Sequence, residues 1–108
     1  MTVNGKIAIM EVPYVENGQS KTRPILLWKL NDVAIFYKIT SKFTNKSDAI
    51  RENYFPIMYW KDAGLKKPSF VDLNTRYNAK MFANYPVREI GRLTRQDAIN
   101  LGRKISKE

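Results

Sequence analysis

Two apolar runs separated by a two-residue turn constrain the fold of this chain more than any other feature. Residues 25–30 are almost continuously apolar, as expected of a strand that is buried on both faces. After a tight turn at Asn31 and Asp32, the residues of Val33–Thr40 alternate between the two faces of a strand. One face carries Val33, Ile35, Tyr37 and Ile39, and the other carries Ala34, Phe36, Lys38 and Thr40. The pattern predicts two antiparallel strands of one sheet.

Shorter segments predict the rest of the sheet. Residues 6–12 read as a strand that ends at Pro13, and together with the hairpin they predict an antiparallel meander. Further strands are expected over residues 54–60, 69–73 and 78–82, with Pro56 at an edge or a bulge. Within 69–73, Val71 and Leu73 share one face and Phe70 and Asp72 share the other.

The C-terminal segment predicts a helix. Thr94 and Asp97 have the spacing of a capping box, and Ala98, Leu101 and Ile105 follow as an apolar stripe. Residues 41–53 are polar and predict a loop with one helical turn, and residues 61–65 predict a short turn that ends near Gly64. We therefore expect a single, mainly β domain over residues 1–108 with a C-terminal α-helix.

Composition limits the partners and the chemistry. Nineteen Lys and Arg residues against ten Asp and Glu give a formal net charge of +9, which favours nucleic acid, an acidic membrane surface or an acidic protein. A solvated basic surface without a specific partner is the alternative. The chain has no cysteine and no histidine, so thiolate and imidazole chemistry are excluded. An enzyme of this composition would rely on Arg, Lys, hydroxyl groups, Tyr and one carboxylate, and neither a metal nor a cofactor is expected.

The N-terminal residues and the apolar runs bear on location. A lysine at position 6 precedes any long apolar run, which argues against a signal peptide. No apolar run approaches the roughly 18–20 residues that a membrane-spanning helix needs. The expectation is a cytoplasmic protein that does not enter a membrane.

Four short motifs occur in a fixed order along the chain. They are Lys21-Thr22-Arg23-Pro24 before an apolar strand, Ile39-Thr40-Ser41, the segment Ala63-Gly64-Leu65-Lys66-Lys67-Pro68-Ser69, and Ile90-Gly91-Arg92-Leu93-Thr94 followed by Asp97. Each motif alone is weak, but the ordered set covers nearly the whole chain. It resembles the MazF/PemK family of toxins.

That resemblance implies a fold, an activity and partners. The implied fold is the SH3-like small barrel of the MazF, PemK and CcdB plasmid toxins, with a C-terminal helix. The implied protein is the homodimeric toxin of a type II toxin–antitoxin system, an endoribonuclease that cuts single-stranded mRNA at selected sequences. An acidic antitoxin protein would neutralise it. The resemblance carries over two catalytic positions, Arg23 and Thr40.

Further residues are candidates for contact with RNA. The resemblance places the loop before Arg23, the end of the third strand and the Ser69 segment along the RNA groove. Aromatic residues in loop-like contexts are candidates for stacking on bases. The candidate RNA-binding residues are Lys21, Thr22, Ser41, Lys42, Phe43, Ser69 and Tyr14. Ser69 has an equally ordinary interpretation as a turn residue after Pro68, and the aromatic residues as part of the core.

The chain departs from the family pattern at two places. Gln19 and Ser20 stand where many members have an acidic residue shortly before the arginine, and Asp72 stands where related sequences often have a basic residue. Both differences affect base preference and the charge of the groove rather than the fold.

Chemistry assigns Arg23 and Thr40 different roles. The guanidinium stays protonated and can bind two phosphate oxygens, so Arg23 is suited to stabilising charge and, as a further option, to protonating the leaving oxygen. The Thr40 hydroxyl can donate to a phosphate oxygen or orient the attacking 2′-hydroxyl. These residues do not identify the general base.

Two other functions remain open from the sequence. The first is a basic SH3-like barrel that binds RNA or DNA without cleaving it. The second is a CcdB-like gyrase poison, a class that depends on a C-terminal Trp-Gly-Ile, whereas this sequence ends in Ser106-Lys107-Glu108.

Overall fold

The hairpin at Asn31 and Asp32 lies at the centre of the sheet. The computed structural model describes residues 5–13, 20–43, 47–82 and 84–106. Both turn residues have left-handed backbone conformations, with φ of 47° and 68°. Two successive left-handed residues match the right-handed twist of the strands that they join, which explains why Asn and Asp stand here. The predicted hairpin is confirmed.

An antiparallel sheet of six strands extends from this hairpin in both directions. Its strands are β1 (Lys6–Pro13), β2 (Ser20–Leu30), β3 (Val33–Thr40), β4 (Tyr54–Pro56), β5 (Phe70–Asn78) and β6 (Val87–Arg92). Their order across the sheet is β4-β5-β3-β2-β1-β6. Two helices, α1 (Asp48–Arg51) and α2 (Arg95–Ser106), and a 3₁₀ turn over Ala79–Phe82 complete the described elements. The mainly β architecture with a C-terminal helix and the β1-β2-β3 meander are confirmed.

The face of the sheet that α2 covers carries the main core. Leu101 and Ile105 are buried, and the half-buried Ala98 packs against the same cluster, so the predicted apolar stripe of the helix is confirmed. The alternation in β3 is confirmed as well, because every second residue from Ile35 onwards joins this cluster. The sheet residues in the main core are Ile7, Leu26, Trp28, Ile35, Tyr37, Ile39, Phe55, Val71 and Leu73.

A smaller cluster occupies the opposite face, which we call the open face. It consists of the buried residues Ala8, Met10, Ile25 and Phe36. The segment around the 3₁₀ turn covers part of it, because the Tyr77 ring stacks on Phe36 with 4.9 Å between centroids and Ala79 and Tyr85 pack nearby. The sheet therefore buries apolar side chains on both faces, and among the described elements the one long helix, α2, covers the first face.

Two expectations about strands were wrong, and one strand was not predicted. Asn78 is the last residue of β5 and Ala79–Phe82 form a 3₁₀ turn rather than a separate strand, because the Asn78 side chain accepts the N–H of Lys80 (2.9 Å) and turns the chain. The strand expected over residues 54–60 ends at Pro56, and the N–H groups of Met58 and Tyr59 bind a side chain instead of a neighbouring strand. Strand β6 was not expected, since its residues are exposed or half-buried and lack apolar alternation.

The side chain that accepts hydrogen bonds from these two N–H groups is that of Asp97, in the first turn of α2. Its carboxylate accepts from Tyr59 N at 2.8 Å and from Met58 N at 3.1 Å, while its own N–H donates to the hydroxyl of Thr94 at 3.4 Å. The predicted cap at Thr94 is confirmed. The carboxylate does more than complement the helix terminus, since it also holds the chain segment that follows β4.

Two glycines allow the segment after β4 to contact β6. A Cβ on Gly91 would lie 1.9 Å from the carbonyl oxygen of Ala63, and a Cβ on Gly64 would lie 2.6 Å from that of Ile90. Gly64 also has a φ of 96°, which side chains other than glycine rarely adopt. These glycines come from the third and fourth sequence motifs, so much of what those motifs specify is packing.

Candidate functional site

The first two sequence motifs meet at one end of the open face. In β2, Arg23 pairs with Met10 of β1, and in β3, Thr40 pairs with Phe70 of β5. The β2–β3 ladder runs from Leu30 opposite Val33 to Ile25 opposite Lys38. Continuing that register by two residues makes Arg23 the counterpart of Thr40. Since paired residues project to the same face of a sheet, Arg23 and Thr40 share the face of Met10.

Proline at position 24 accounts for how the ladder ends beside this pair. The described pairing of β2 with β3 stops at Ile25, while the pairing of β2 with β1 continues to Ser20. Proline has no N–H and cannot donate to a ladder. Arg23 is exposed and Thr40 is half-buried, so both are accessible at the point where the two strands cease to pair.

The hydroxyl of Thr40 has a fixed acceptor role. Its oxygen accepts the backbone N–H of Lys42, with 3.1 Å between the two atoms. This local hydrogen bond orients the side chain at the end of β3 and leaves the hydroxyl proton available to donate. Ser41 and Lys42, also predicted to contact RNA, are exposed in the same turn.

Next to Thr40 on this face, the pairing of β3, β5 and β4 brings together three residues that were not predicted as site residues. Lys38 of β3 is opposite Asp72 of β5, and Asp72 is opposite Tyr54 of β4. Burial, and second the negative charge of Asp72, raise the pKa of Tyr54 above its usual value, so the phenol remains a proton donor. The sequence contains part of this information. The alternation in Val33–Thr40 puts Lys38 on the same strand face as Thr40, and the alternation in residues 69–73 puts Asp72 on the same face as Phe70.

Asp72 is held by the chain that follows it. One of its carboxylate oxygens, Oδ1, accepts the backbone N–H of Asn74 (2.9 Å) and the side-chain amide of the same residue (2.8 Å). That amide also donates to the carbonyl oxygen of Ile50, and its own oxygen accepts from the Asn53 amide. The regular pairing of β3 with β5 is interrupted just beyond Asp72. An interruption of this kind redirects side chains and is common next to functional sites.

An aromatic cluster borders Thr40 on the side away from Arg23. The rings of Phe43 and Phe70 are stacked with 4.6 Å between centroids and 19° between planes. Tyr54 contacts both rings at about 6 Å, and the Arg51 guanidinium lies over Phe43 at 5.3 Å. Phe43, predicted to stack on a base, is half-buried with its ring already against Phe70, so a base would have to use the remaining surface of the cluster.

The other candidate RNA-binding residues are placed differently. Ser69 is buried, and its hydroxyl donates to the carbonyl oxygen of Lys67 at 2.8 Å, the interaction of a turn residue. Thr22 is exposed, but as the neighbour of Arg23 in the strand it belongs to the opposite face. Lys21 lies in β2 at the position opposite Val12, and its side chain is outside what the structure describes. Tyr14 lies outside the described residues.

Within the described ranges, the structure contains no group of three or more Asp and Glu side chains that could hold a metal ion. The polar side chains placed at this end of the open face are Arg23, Thr40, Lys38, Asp72 and Tyr54. No helix among the described residues is long and apolar enough to cross a membrane.

Comparisons of the chain with family models, with curated proteins and with solved structures gave no match. The interpretation of the site consequently rests on the geometry of its own residues and on the four sequence motifs.

Proposed function

We propose that this chain is the toxin of a type II toxin–antitoxin system, a metal-independent endoribonuclease of the MazF/PemK kind that cuts single-stranded mRNA. One observation supports the proposal: Arg23 and Thr40 come from separate motifs, and extending the β2–β3 register by two residues beyond Ile25 and Lys38 would make them counterparts on one face of the sheet. The activity would inhibit translation and growth of the cell that contains the toxin.

Cleavage starts when the 2′-hydroxyl of the RNA attacks the adjacent phosphorus. Negative charge then increases on the non-bridging phosphate oxygens, and a permanently protonated guanidinium stabilises that charge. Arg23 performs this role, with two N–H donors directed at two phosphate oxygens. Arg23 is exposed at the end of the β2–β3 ladder, where a phosphate could reach it from solvent.

Thr40 contributes a second donor from the neighbouring strand. Because its oxygen already accepts the N–H of Lys42, the hydroxyl proton is the part of this side chain that would donate to the substrate. A donor on each side of the phosphate fixes the geometry needed for in-line attack. Serine can replace this hydroxyl chemically and valine cannot.

Basic and aromatic side chains around this pair support the binding of a flexible strand. Lys38 and Lys42 are exposed on the Thr40 side, and Arg51 lies beside the aromatic cluster of Phe43, Phe70 and Tyr54. Cations hold the phosphates and aromatic rings offer stacking surfaces to unpaired bases. Duplex RNA keeps its bases stacked and cannot use such a surface, which favours single-stranded substrates.

The SH3-like barrel belongs to this proposal as the finer description of the fold. Strands β4 and β6 are the two edges of the sheet, and the backbone contact of residues 63–64 with residues 90–91 draws the segment after β4 against β6. Pairing of the two edges would close the sheet into a small barrel, and the contact of residues 63–64 with β6 supports that interpretation.

The remaining parts of the proposal concern assembly and location. The toxin would act in the cytoplasm as a homodimer. This chain carries a formal net charge of +9. An antitoxin segment rich in Asp and Glu would therefore bind the same surface as RNA and block RNA binding by direct competition.

The test is cleavage of a long unstructured RNA in excess EDTA, followed by analysis of the fragment ends. We expect cleavage without metal, 2′,3′-cyclic phosphate and 5′-hydroxyl ends, and resistance of the same sequence in duplex form. Cleavage that requires added magnesium would contradict the mechanism. Binding of RNA without any cleavage would instead favour the non-catalytic nucleic-acid-binding module.

A further inference from the structure

The proposed reaction needs a group that removes the proton of the 2′-hydroxyl. Arginine cannot readily accept a proton at neutral pH because its guanidinium stays protonated, and the neutral threonine hydroxyl is a very weak base. The chain contains no histidine, which leaves the carboxylates as the strongest candidates. The question is which carboxylate lies near Arg23 and Thr40.

Among the carboxylates that the structure describes, Asp72 is the one beside this pair. The others lie in turns, at helix ends, at the far edge of the sheet or on its other face, namely Glu11, Asp32, Asp48, Glu52, Asp62, Glu89 and Asp97. Three of them are in ion pairs with Lys29, Arg51 and Lys6. Asp97 is fully buried beneath Tyr59.

Asp72 and Thr40 are diagonal neighbours on adjacent strands. Thr40 pairs with Phe70, and Asp72 lies two residues further along β5 on the same face. Diagonal neighbours in an antiparallel pair are about 7–8 Å apart, a separation that a bound ribose and phosphate can bridge. Arg23 is on the other side of Thr40, so a phosphate near Thr40 would have the cation on one side and the carboxylate on the other.

The carboxylate is oriented for such a role. Both hydrogen bonds from Asn74 go to Oδ1, and Asn74 is itself held by Asn53 and by the carbonyl oxygen of Ile50. This arrangement orients the carboxylate through Oδ1, so Oδ2 is the oxygen left for another partner. Asp72 is only half-buried, so solvent and RNA can reach it.

We propose that Asp72 is the general base of the reaction, accepting the proton of the 2′-hydroxyl through Oδ2. The proposal rests on the proposed ribonuclease function and adds to it the residue that activates the nucleophile. It also gives a role to Asp72 at a position where related toxins often have a basic residue.

The proton and bond changes balance without a co-reactant. The 2′-oxygen transfers its proton to Asp72 and forms a bond to phosphorus, while the bond between phosphorus and the 5′-oxygen breaks. The leaving 5′-oxygen takes a proton from solvent or from a donor in the site, and protonated Asp72 returns its proton to solvent. The products are a 2′,3′-cyclic phosphate and a 5′-hydroxyl.

A purely structural role for Asp72 has to be separated from this one. Its hydrogen bond to Asn74 N forms an Asx turn at the interruption in β5, and losing that turn could distort the strand. Asparagine keeps an Oδ1 acceptor of the same shape but cannot act as a base at neutral pH. Asp72→Asn therefore preserves the turn and removes the proposed chemistry.

The experiment measures single-turnover cleavage at saturating RNA by wild type, Asp72→Asn and the matched control Asp62→Asn, whose carboxylate is exposed in the turn after β4. Each protein is tested on an oligonucleotide with a normal 5′-oxygen and on one with sulfur in its place, because sulfur departs without a proton. We expect Asp72→Asn to slow both substrates by the same factor, about 100-fold or more, with its Tm unchanged. Asp62→Asn should match wild type.

The other outcomes would contradict either the role of Asp72 as the base or the ribonuclease function. An Asp72→Asn protein as fast as wild type would exclude Asp72 as the base. A defect that disappears with the sulfur substrate would mean that Asp72 acts at the leaving group. If Asn fails to fold, Asp72→Ser repeats the test, since a serine hydroxyl also accepts an N–H two residues on. Wild-type protein that cleaves neither substrate would contradict the ribonuclease function itself.

Discussion

The α-carbon of Gly91 lies so close to Ala63 that a side chain on Gly91 would begin 1.9 Å from the Ala63 carbonyl oxygen. This contact connects β6 to the segment after β4, and it joins two sequence motifs that lie far apart in the chain. Neither motif contributes a side chain to the proposed catalytic pair, so their sequence pattern reflects the geometry of the fold.

Gly91→Ala should therefore destabilise the protein strongly. The backbone must move to admit the methyl group, and we expect a loss of about 3 kcal/mol or more in the free energy of unfolding. Gly102→Ala is the matched control: the new Cβ would lie 3.7 Å from Trp28, an ordinary contact, and alanine in a helix should stabilise by about 0.5–1 kcal/mol. Urea unfolding curves measure both, and equal stability of the two variants would refute the close contact.

A second stability prediction concerns Asp97. Replacing it with alanine removes the acceptor of the Met58 and Tyr59 N–H groups and part of the α2 cap. The Asp97 carboxylate is buried, and its loss leaves two part-buried donors without their acceptor, so Asp97→Ala should lower the free energy of unfolding by about 2–4 kcal/mol. Asp62→Ala, an exposed carboxylate in the same region, should change it by less than about 0.5 kcal/mol. Comparable values for the two variants would contradict the role assigned to Asp97.

The sequence was sufficient to predict the parts of the fold that depend on local periodicity. The hairpin, the alternation in β3 and the stripe of α2 follow from turn residues and from apolar spacing. The end of β4 at Pro56 was not predictable in this way. The N–H groups that follow it donate to the carboxylate of Asp97, far along the chain, instead of to a neighbouring strand. Strand β6 carries no buried alternation, since it lies at an edge of the sheet.

The site was predictable to a similar extent. The motifs place Arg23 and Thr40 in different strands, but their proximity is inferred by extending the β2–β3 register beyond Ile25 and Lys38, which a single sequence does not specify. The sequence shows that Asp72 stands where related toxins often have a basic residue. Its position beside Thr40 follows from the pairing of β3 with β5, which a single sequence does not specify. The contacts of Phe43 with Phe70 likewise depend on long-range pairing.

The raised pKa of Tyr54 predicts a change in stability at alkaline pH. Because the folded-state pKa lies above the unfolded value of about 10, the stabilisation is complete below that pH and is lost as the pH rises through the folded-state pKa. Tyr54→Phe should lose less stability than wild type between about pH 9 and pH 11, whereas Tyr59→Phe, at an exposed position, should behave as wild type. Unfolding curves across this range measure the difference, and parallel curves for all three proteins would rule out the shift.

Assembly and inhibition can be tested together. Light scattering at micromolar concentration should give the mass of a dimer, and a monomer would count against that part of the proposal. A peptide rich in Asp and Glu should raise the apparent KM for RNA without changing kcat, and added salt should weaken the inhibition. A peptide that binds but leaves cleavage unchanged would argue against a shared surface.

The most direct test of the account separates catalysis from binding at Arg23 and Thr40. A charge-stabilising group acts mainly in the transition state, so Arg23→Ala should lower the single-turnover rate at saturating RNA by about 100-fold or more. Affinity should fall much less, because other cations still hold the phosphates. Arg23→Lys should not restore the full rate, since an ammonium group lacks the bidentate fork.

Thr40→Ser should retain much of the rate and Thr40→Val little of it, because only serine keeps the hydroxyl. Arg103→Ala, an exposed cation on the helix that covers the other face, serves as the control and should leave rate and affinity unchanged. The decisive measurement is the rate of Arg23→Ala at saturating RNA together with its Kd for the same RNA. We expect the rate of Arg23→Ala to be lowered about 100-fold or more, with a small change in its Kd. A weakened Kd with an unchanged rate would make Arg23 a backbone contact and contradict the catalytic assignment.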